Sequence, residues 1–139
     1  MTPEQARWRF AQARVARLAT ADASGRPHLV PMVFALADDT IYSAVDAKTK
    51  RSTSLRRLAN IAANPRVAVL VDHYDDNWDE LWWVRVDGSG RVLDAREPEG
   101  RDAIAQLVVR YSPYRAQPPR GPVIAIDITR WSSWSATGT

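Results

Sequence analysis

Between residues 15 and 45 short apolar runs are cut apart by tight polar turns, and this spacing constrains the fold more than any other feature. Residues 15–21 alternate, with Val15, Arg17 and Ala19 on one face and Ala16, Leu18 and Thr20 on the other. Asp22-Ala23-Ser24-Gly25 supplies turn chemistry, an Asp that can bond its own backbone and a glycine that tolerates positive φ. Residues 27–36 are apolar with little alternation, as in a strand covered on both faces. Ala37-Asp38-Asp39 turns the chain again, and residues 40–45 form a third strand. Strands joined by turns this short pair antiparallel, so a meander is expected.

The remainder adds strands and short helices. Thr2-Pro3-Glu4-Gln5 opens a helix, with Thr2 as N-cap, Pro3 at the first position and Gln5 completing a capping box. It runs to about residue 13. A second helix starts at Ser52 or Thr53, places Leu55, Leu58, Ala59 and Ala62 on one face, and ends at Asn64-Pro65. Residues 67–71 form a strand, and residues 72–80 an acidic loop with five carboxylates. Residues 81–93 read as strand, where Gly88 and Gly90 mark either a bulge or a hairpin. Pro98-Glu99 opens a third helix, with Ala103, Ile104, Leu107, Val108 and Tyr111 on one face. A Pro-rich loop (112–122), a last strand (123–128) and a tail (131–139) complete the chain. The expectation is one domain over residues 1–139, mainly β (α+β), a barrel with short peripheral helices.

The absence of cysteine removes disulfides, thiolate metal sites and Cys nucleophiles together. No apolar run approaches the roughly 20 residues of a transmembrane helix, and the polar first ten residues do not read as a signal peptide. A cytoplasmic protein is expected. A net charge of +3 is too modest to call for a nucleic acid or membrane partner. There is no Ser/His/acid constellation, P-loop or His-x-x-His pattern, and His28 and His73 lie far apart in sequence. Such scarcity suits a protein that borrows its chemistry from an organic cofactor.

Charge placement is the strongest functional signal. Lys48, Lys50, Arg51, Arg56, Arg57 and Arg66 face only one acid, Asp46, and part of this run leads into a helix N-terminus. Free backbone N–H groups and guanidinium forks there suit a phosphate or carboxylate. Arg56 and Arg57 are placed on the first turn, off the apolar face. The rival is a solvated basic helix end. Of the six tryptophans, Trp82 and Trp83 point opposite ways on a strand, so one faces the core and one a groove or partner.

Several segments together resemble a known family. Residues 16–22 (ARLATAD), 25–34 (GRPHLVPMVF) and 39–42 (DTIY) are similar to the opening of the pyridoxamine-phosphate-oxidase-like split-barrel proteins. Residues 57–61 (RLANI) and 64–67 (NPRV) resemble the deazaflavin-dependent branch, and residues 126–131 (IDITRW) fit the close. Residues 72–76 and 81–85 look like an actinobacterial subgroup that depends on coenzyme F420. The resemblance implies an FMN-binding-like split β-barrel, completed as a homodimer with two cofactor grooves at the interface. It implies that the ring lies against backbone at Pro31, Met32 and Val33 and at Ser43, Ala44 and Val45. It places Lys48, Lys50, Arg51, Arg57 and Asn60 on the phosphate or oligoglutamate, with Tyr74 and Trp82 near the groove from either subunit. The family's usual lysine is Arg57 here, so a planar fork replaces a point charge. The extension with which pyridoxamine phosphate oxidases cover their substrate has no counterpart, so vitamin B6 chemistry is not expected.

The activity so implied is hydride transfer between reduced F420 and a small conjugated organic substrate. His28, His73 and Tyr74 are the candidate proton donors, and the sequence does not choose among them. An FMN-binding oxidase or reductase of the same fold, a non-catalytic carrier of F420 or haem, and a basic nucleic-acid binder are the alternatives.

Overall fold

The computed structural model describes residues 1–45 and 52–138. The basic residues Lys48, Lys50 and Arg51 lie outside the described residues, as do the side chains of residues 52–55 and with them the proposed cap at Ser52 or Thr53. Helix α1 (Pro3–Gln12) starts with the expected capping box. Thr2 Oγ1 accepts from the Gln5 amide at 3.1 Å, and Gln5 Oε1 accepts from the Thr2 amide at 2.8 Å. Strands β1 (Ala16–Ala21), β2 (Pro27–Met32), β3 (Ala35–Ala37) and β4 (Thr40–Ala44) follow. Then come α2 (Ser52–Ala63), β5 (Arg66–His73), β6 (Trp82–Leu93), α3 (Pro98–Arg110), α4 (Ser112–Ala116) and β7 (Val123–Ser135). No helix among the described residues is long and apolar enough to cross a membrane.

The seven strands form one antiparallel sheet in the order β2-β1-β5-β6-β7-β4-β3. Strands β2 and β3 stand at opposite edges, yet only Val33 and Phe34 separate them in sequence. Three Cα–Cα steps span at most about 11 Å. The sheet must therefore curl until its edges approach, giving a mainly β half-barrel. Its interior collects Leu18, Met32, Ile41, Val69, Val71, Val84, Val86, Ile124 and Ile126 from six strands, with Phe10 of α1 and Ile61 of α2. On β1 the expected parity holds: Ala16, Leu18 and Thr20 are buried.

Five sequence expectations need correction. The run 27–36 is two strands, not one, and β2 is not covered on both faces: Leu29 is 67% exposed. Proline at positions 27 and 31 confines β2 to an edge, and the sheet can close only if the chain breaks at Val33–Phe34. The tail is instead the second half of β7, in which Trp131 meets the Phe10 ring edge-on at 5.4 Å and Trp134 sits opposite Trp83. The loop 112–122 contains α4, and the loop 72–80 surrenders Asp72 and His73 to β5. Finally, α2 buries Asn60 and Ile61 and exposes Ala59 and Ala62. Of the two readings at Gly88, the bulge is correct. The β6–β7 register shifts between Asp87 and Gly88, and a Cβ on Gly88 would sit 2.6 Å from the Asp127 carbonyl oxygen.

Helix α3 lies outside the barrel, with Ala103 and Leu107 against Tyr42, Ala44, Val123 and Ala125. It is anchored through Arg91 on β6. That guanidinium donates to both Glu99 oxygens at 2.8 and 2.7 Å and to Asp127 at 2.8 and 3.1 Å, while the Tyr42 hydroxyl donates to Glu99 at 2.7 Å. Hydrogen bonds from Arg91, then from Tyr42, hold the Glu99 carboxyl down at about 2 against an ordinary 4.5. A depressed carboxyl stabilises the fold above its unfolded value and loses that contribution as the pH falls through the folded one. The melting temperature of Glu99→Gln should therefore lie below wild type at pH 7. The gap should close as the pH drops from 4.5 towards 2, read by circular dichroism.

Candidate cofactor-binding site

Helix α2 carries the first part of the site. Arg57, Asn60 and Ile61 fall at i, i+3 and i+4, so they share the stripe turned towards the barrel. Arg57 is thus half-buried rather than off the packed face, a correction to its expected position. Its Nε is one of the buried polar atoms without a hydrogen-bond partner among the described residues. Burial pushes the guanidinium's pKa down, and only the nearby Tyr114 acts in the opposite direction. A buried donor left open costs about 1–3 kcal/mol, so this position favours an acceptor that is not part of the described chain.

Asn60 behaves differently. It is buried, and its Nδ2 donates to Thr20 Oγ1 at 3.0 Å, so part of its amide is already committed to pinning α2 against β1. His28 is opposite Thr20 on β2 and faces the same side, half-buried, with Nδ1 lacking a partner among the described residues. The acid Asp22, at the head of the same hairpin, is held low by amide hydrogen bonds from Arg26 and Ser24 and by the charges of Arg26 and Arg56.

The two expected ring-contact segments do come together. Ser43 Oγ donates to the Val33 carbonyl at 2.8 Å, fastening β4 to the link between β2 and β3. The Tyr111 hydroxyl closes the same gap, accepting from the Phe34 amide at 3.1 Å and bonding the Phe34 carbonyl at 2.9 Å. Arg110 also donates to that carbonyl at 2.7 Å. Met32, Ser43, Ala44 and Val45 are buried, whereas Pro31 is exposed. Tyr114 of α4, like Val33, packs against the cluster of Ala35, Ala44, Leu107 and Tyr111, and its charge acts on Arg57.

The other expected residues lie elsewhere. Asn60 holds Thr20 at the Arg66 end of β5, while His73, Tyr74 and Trp82 stand at the opposite end, seven strand steps or roughly 23 Å away. Trp82 turns towards α1, stacks on His73 at 6.5 Å and lies under the Arg9 guanidinium at 5.3 Å. Trp83 points the other way, as strand parity requires. It is Trp83, not Trp82, that shares a face with Tyr74. That face is an open cleft of about 520 Å³ on the outside of β1, β5 and β6, where Ala19, Leu29, Leu70, Tyr74 and Trp83 are flanked by Arg17, Arg85 and Asp72. Sequence reasoning missed Trp83 and Leu29 as site residues, although the alternation of β5 and β6 could have placed the former beside Tyr74.

The model of the pyridoxamine 5'-phosphate oxidase family matches residues 2–135. The chain belongs to that family. No curated protein matches it. Among solved structures it is similar to an FAD-binding protein of Mesorhizobium loti, with 22% identity and a TM-score of 0.75 over 96% of this chain and 94% of that one. It is similar to the haem storage protein HutZ of Vibrio cholerae, with 16% identity and a TM-score of 0.72 over 96% and 92%. A conserved hypothetical protein of Mycobacterium tuberculosis shares 25% identity, with a TM-score of 0.69 over 98% and 86%. Proteins of this fold thus include an FAD-binding protein and a haem storage protein, and the split barrel expected from the sequence is the fold of this chain.

Proposed function

We propose that this member of the family is an oxidoreductase that binds coenzyme F420 in preference to FMN and reduces a small conjugated organic substrate. The observation that carries the reading is Arg57, a half-buried guanidinium whose Nε has no hydrogen-bond partner among the described residues. The residues present fit an anionic, planar cofactor. Arg57 holds a phosphate or carboxylate, with Lys48, Lys50 and Arg51 of the basic run adding charge for a longer acidic tail. Backbone at Pro31–Val33 and Ser43–Val45 orients the ring, and the aliphatic side chains behind it exclude water. Bound there, the cofactor supplies the hydride chemistry for which no side-chain constellation of this chain is suited. His28, on the α2 side of the barrel, is the nearest of the three candidate proton donors to Arg57 along the fold.

The groove is completed by a second copy. Tyr74 and Trp83 stand at the far end of β5 from the stripe that Arg57 shares with Asn60, so one chain cannot bring both to one ring. The open face has what a two-fold contact needs: an apolar centre at Leu29, Leu70, Tyr74 and Trp83, and both signs of charge at Arg17, Arg85 and Asp72. Side-by-side fluorescence titration of the purified protein with F420 and FMN tests the cofactor. Tighter binding of F420 is expected, and equal or tighter binding of FMN would move the chain to the flavin branch.

A further inference from the structure

The loop from β5 to β6 gathers a second set of chemistry-bearing side chains, away from Arg57. His73, Asp75 and Glu80 each present one ligand atom, and these atoms lie within 4.8 Å of one another. His73 ends β5, Asp75 follows two residues later, and the 3-10 turn Trp78–Glu80 brings Glu80 back to them. His73 Nε2 is 2.8 Å from Asp75 Oδ2. The His73 ring is braced by stacking on Trp82, while the other Asp75 oxygen accepts the Asn77 amide at 2.8 Å. Glu80 makes no ion pair among the described residues. Arg9 borders the same cavity of about 420 Å³, but its guanidinium lies over Trp82 and donates to Met1 Sδ. Two carboxylates are thus held close together with an imidazole, and no ammonium or guanidinium among the described residues bridges them.

We propose that His73, Asp75 and Glu80 form a binding site for a divalent first-row transition metal ion. Three atoms within 4.8 Å of one another leave a point no more than about 2.8 Å from all three. Movements of well under 1 Å by exposed side chains would bring it to the usual 2.0–2.2 Å for Zn–N and Zn–O bonds. Neutral imidazole with two carboxylates is a donor set for Zn²⁺, Co²⁺ or Ni²⁺, and the imidazole disfavours Mg²⁺ and Ca²⁺. The fourth position opens to the cavity, where water or Asp79 can complete a tetrahedron. A bound ion would tie the loop that carries Tyr74 and Trp78 to the end of the barrel. The site stands independently of the cofactor proposal, since neither Arg57 nor its neighbours contribute to it.

Metal-free protein titrated with Co²⁺ tests this, followed by the absorbance of bound cobalt and by quenching of tryptophan fluorescence through the His73–Trp82 stack. One ion per chain is expected. His73→Ala and Glu80→Gln should each weaken binding at least tenfold, whereas Asp102→Asn, an exposed acid on α3, should leave it unchanged. Zn²⁺ should raise the melting temperature of wild type and not of His73→Ala. No saturable uptake by wild type at up to about 1 mM Co²⁺, which is the affinity of a weak surface contact, overturns the proposal. So does uptake that survives in the His73→Ala, Glu80→Gln double variant.

Discussion

Leu29→Asp should leave a 15.6 kDa particle in solution, half the mass expected of the proposed wild-type dimer. Leu29 is 67% exposed in the single chain, so an aspartate there meets water and the monomer should melt close to wild type. In a two-fold contact the same position is buried twice, once from each copy. The substitution then removes roughly 1.5–3 kcal/mol of apolar burial per copy. It also forces a carboxylate out of water without a matching partner. Together these should raise the dimer dissociation constant at least about a hundredfold. In the proposed shared groove Tyr74 and Trp83 act across the contact, so cofactor affinity should fall with it. A wild-type chain that is monomeric at micromolar concentration in analytical ultracentrifugation would sink the shared groove, while leaving the role of Arg57 open to separate test.

Arg57→Ala should weaken binding of the anionic cofactor by roughly 1.5–3 kcal/mol, about tenfold to a hundredfold. The loss should shrink at high salt, because the guanidinium is half-buried and still felt by counterions. Turnover at saturating cofactor should change little, since the anion lies away from the reacting end of the ring. Arg101→Ala, an exposed arginine on α3, is the matched control and should bind like wild type. Arg57→Lys separates charge from geometry: it keeps the cation but loses the fork. If Arg57→Ala and a Lys50, Arg51 double variant both bind F420 with wild-type affinity, the basic cluster is a solvated helix end.

Local features were legible in the sequence; features that depend on the whole sheet were not. The capping box at Thr2 and Gln5, the parity of β1 and the buried face of α3 follow from neighbouring residues alone, and they stand as expected. The break at Val33–Phe34 carries no local signal, because both residues are apolar and the need for a link arises only when the two sheet edges meet. The second half of β7 was hidden for a related reason. Residues 131–135 mix serine and tryptophan without a simple alternation, and their strand character comes from pairing with β6. Arg57 was misplaced because arginine reads as surface, although its spacing with Asn60 and Ile61 already marked an inward stripe. The family resemblance implies Tyr74 and Trp82 together at the groove, whereas strand parity assigns them to different faces.

The two prolines of β2 have a consequence for how the barrel can be approached. The Asp22 amide donates to the Arg26 carbonyl at the hairpin, so the pairs Thr20–His28, Leu18–Val30 and Ala16–Met32 continue in the same phase. The backbone groups of residues 27, 29 and 31 then point away from β1, towards the free margin of the sheet. Proline has no N–H, so along that margin β2 offers a single amide donor, that of Leu29. An extended segment laid alongside would find too few donors to zip up a ladder. The chain is therefore guarded against end-to-end polymerisation through this margin, and against capture of stray peptides as an eighth strand. What remains available on this side is contact through side chains, which selects a partner by shape and charge rather than by backbone alone.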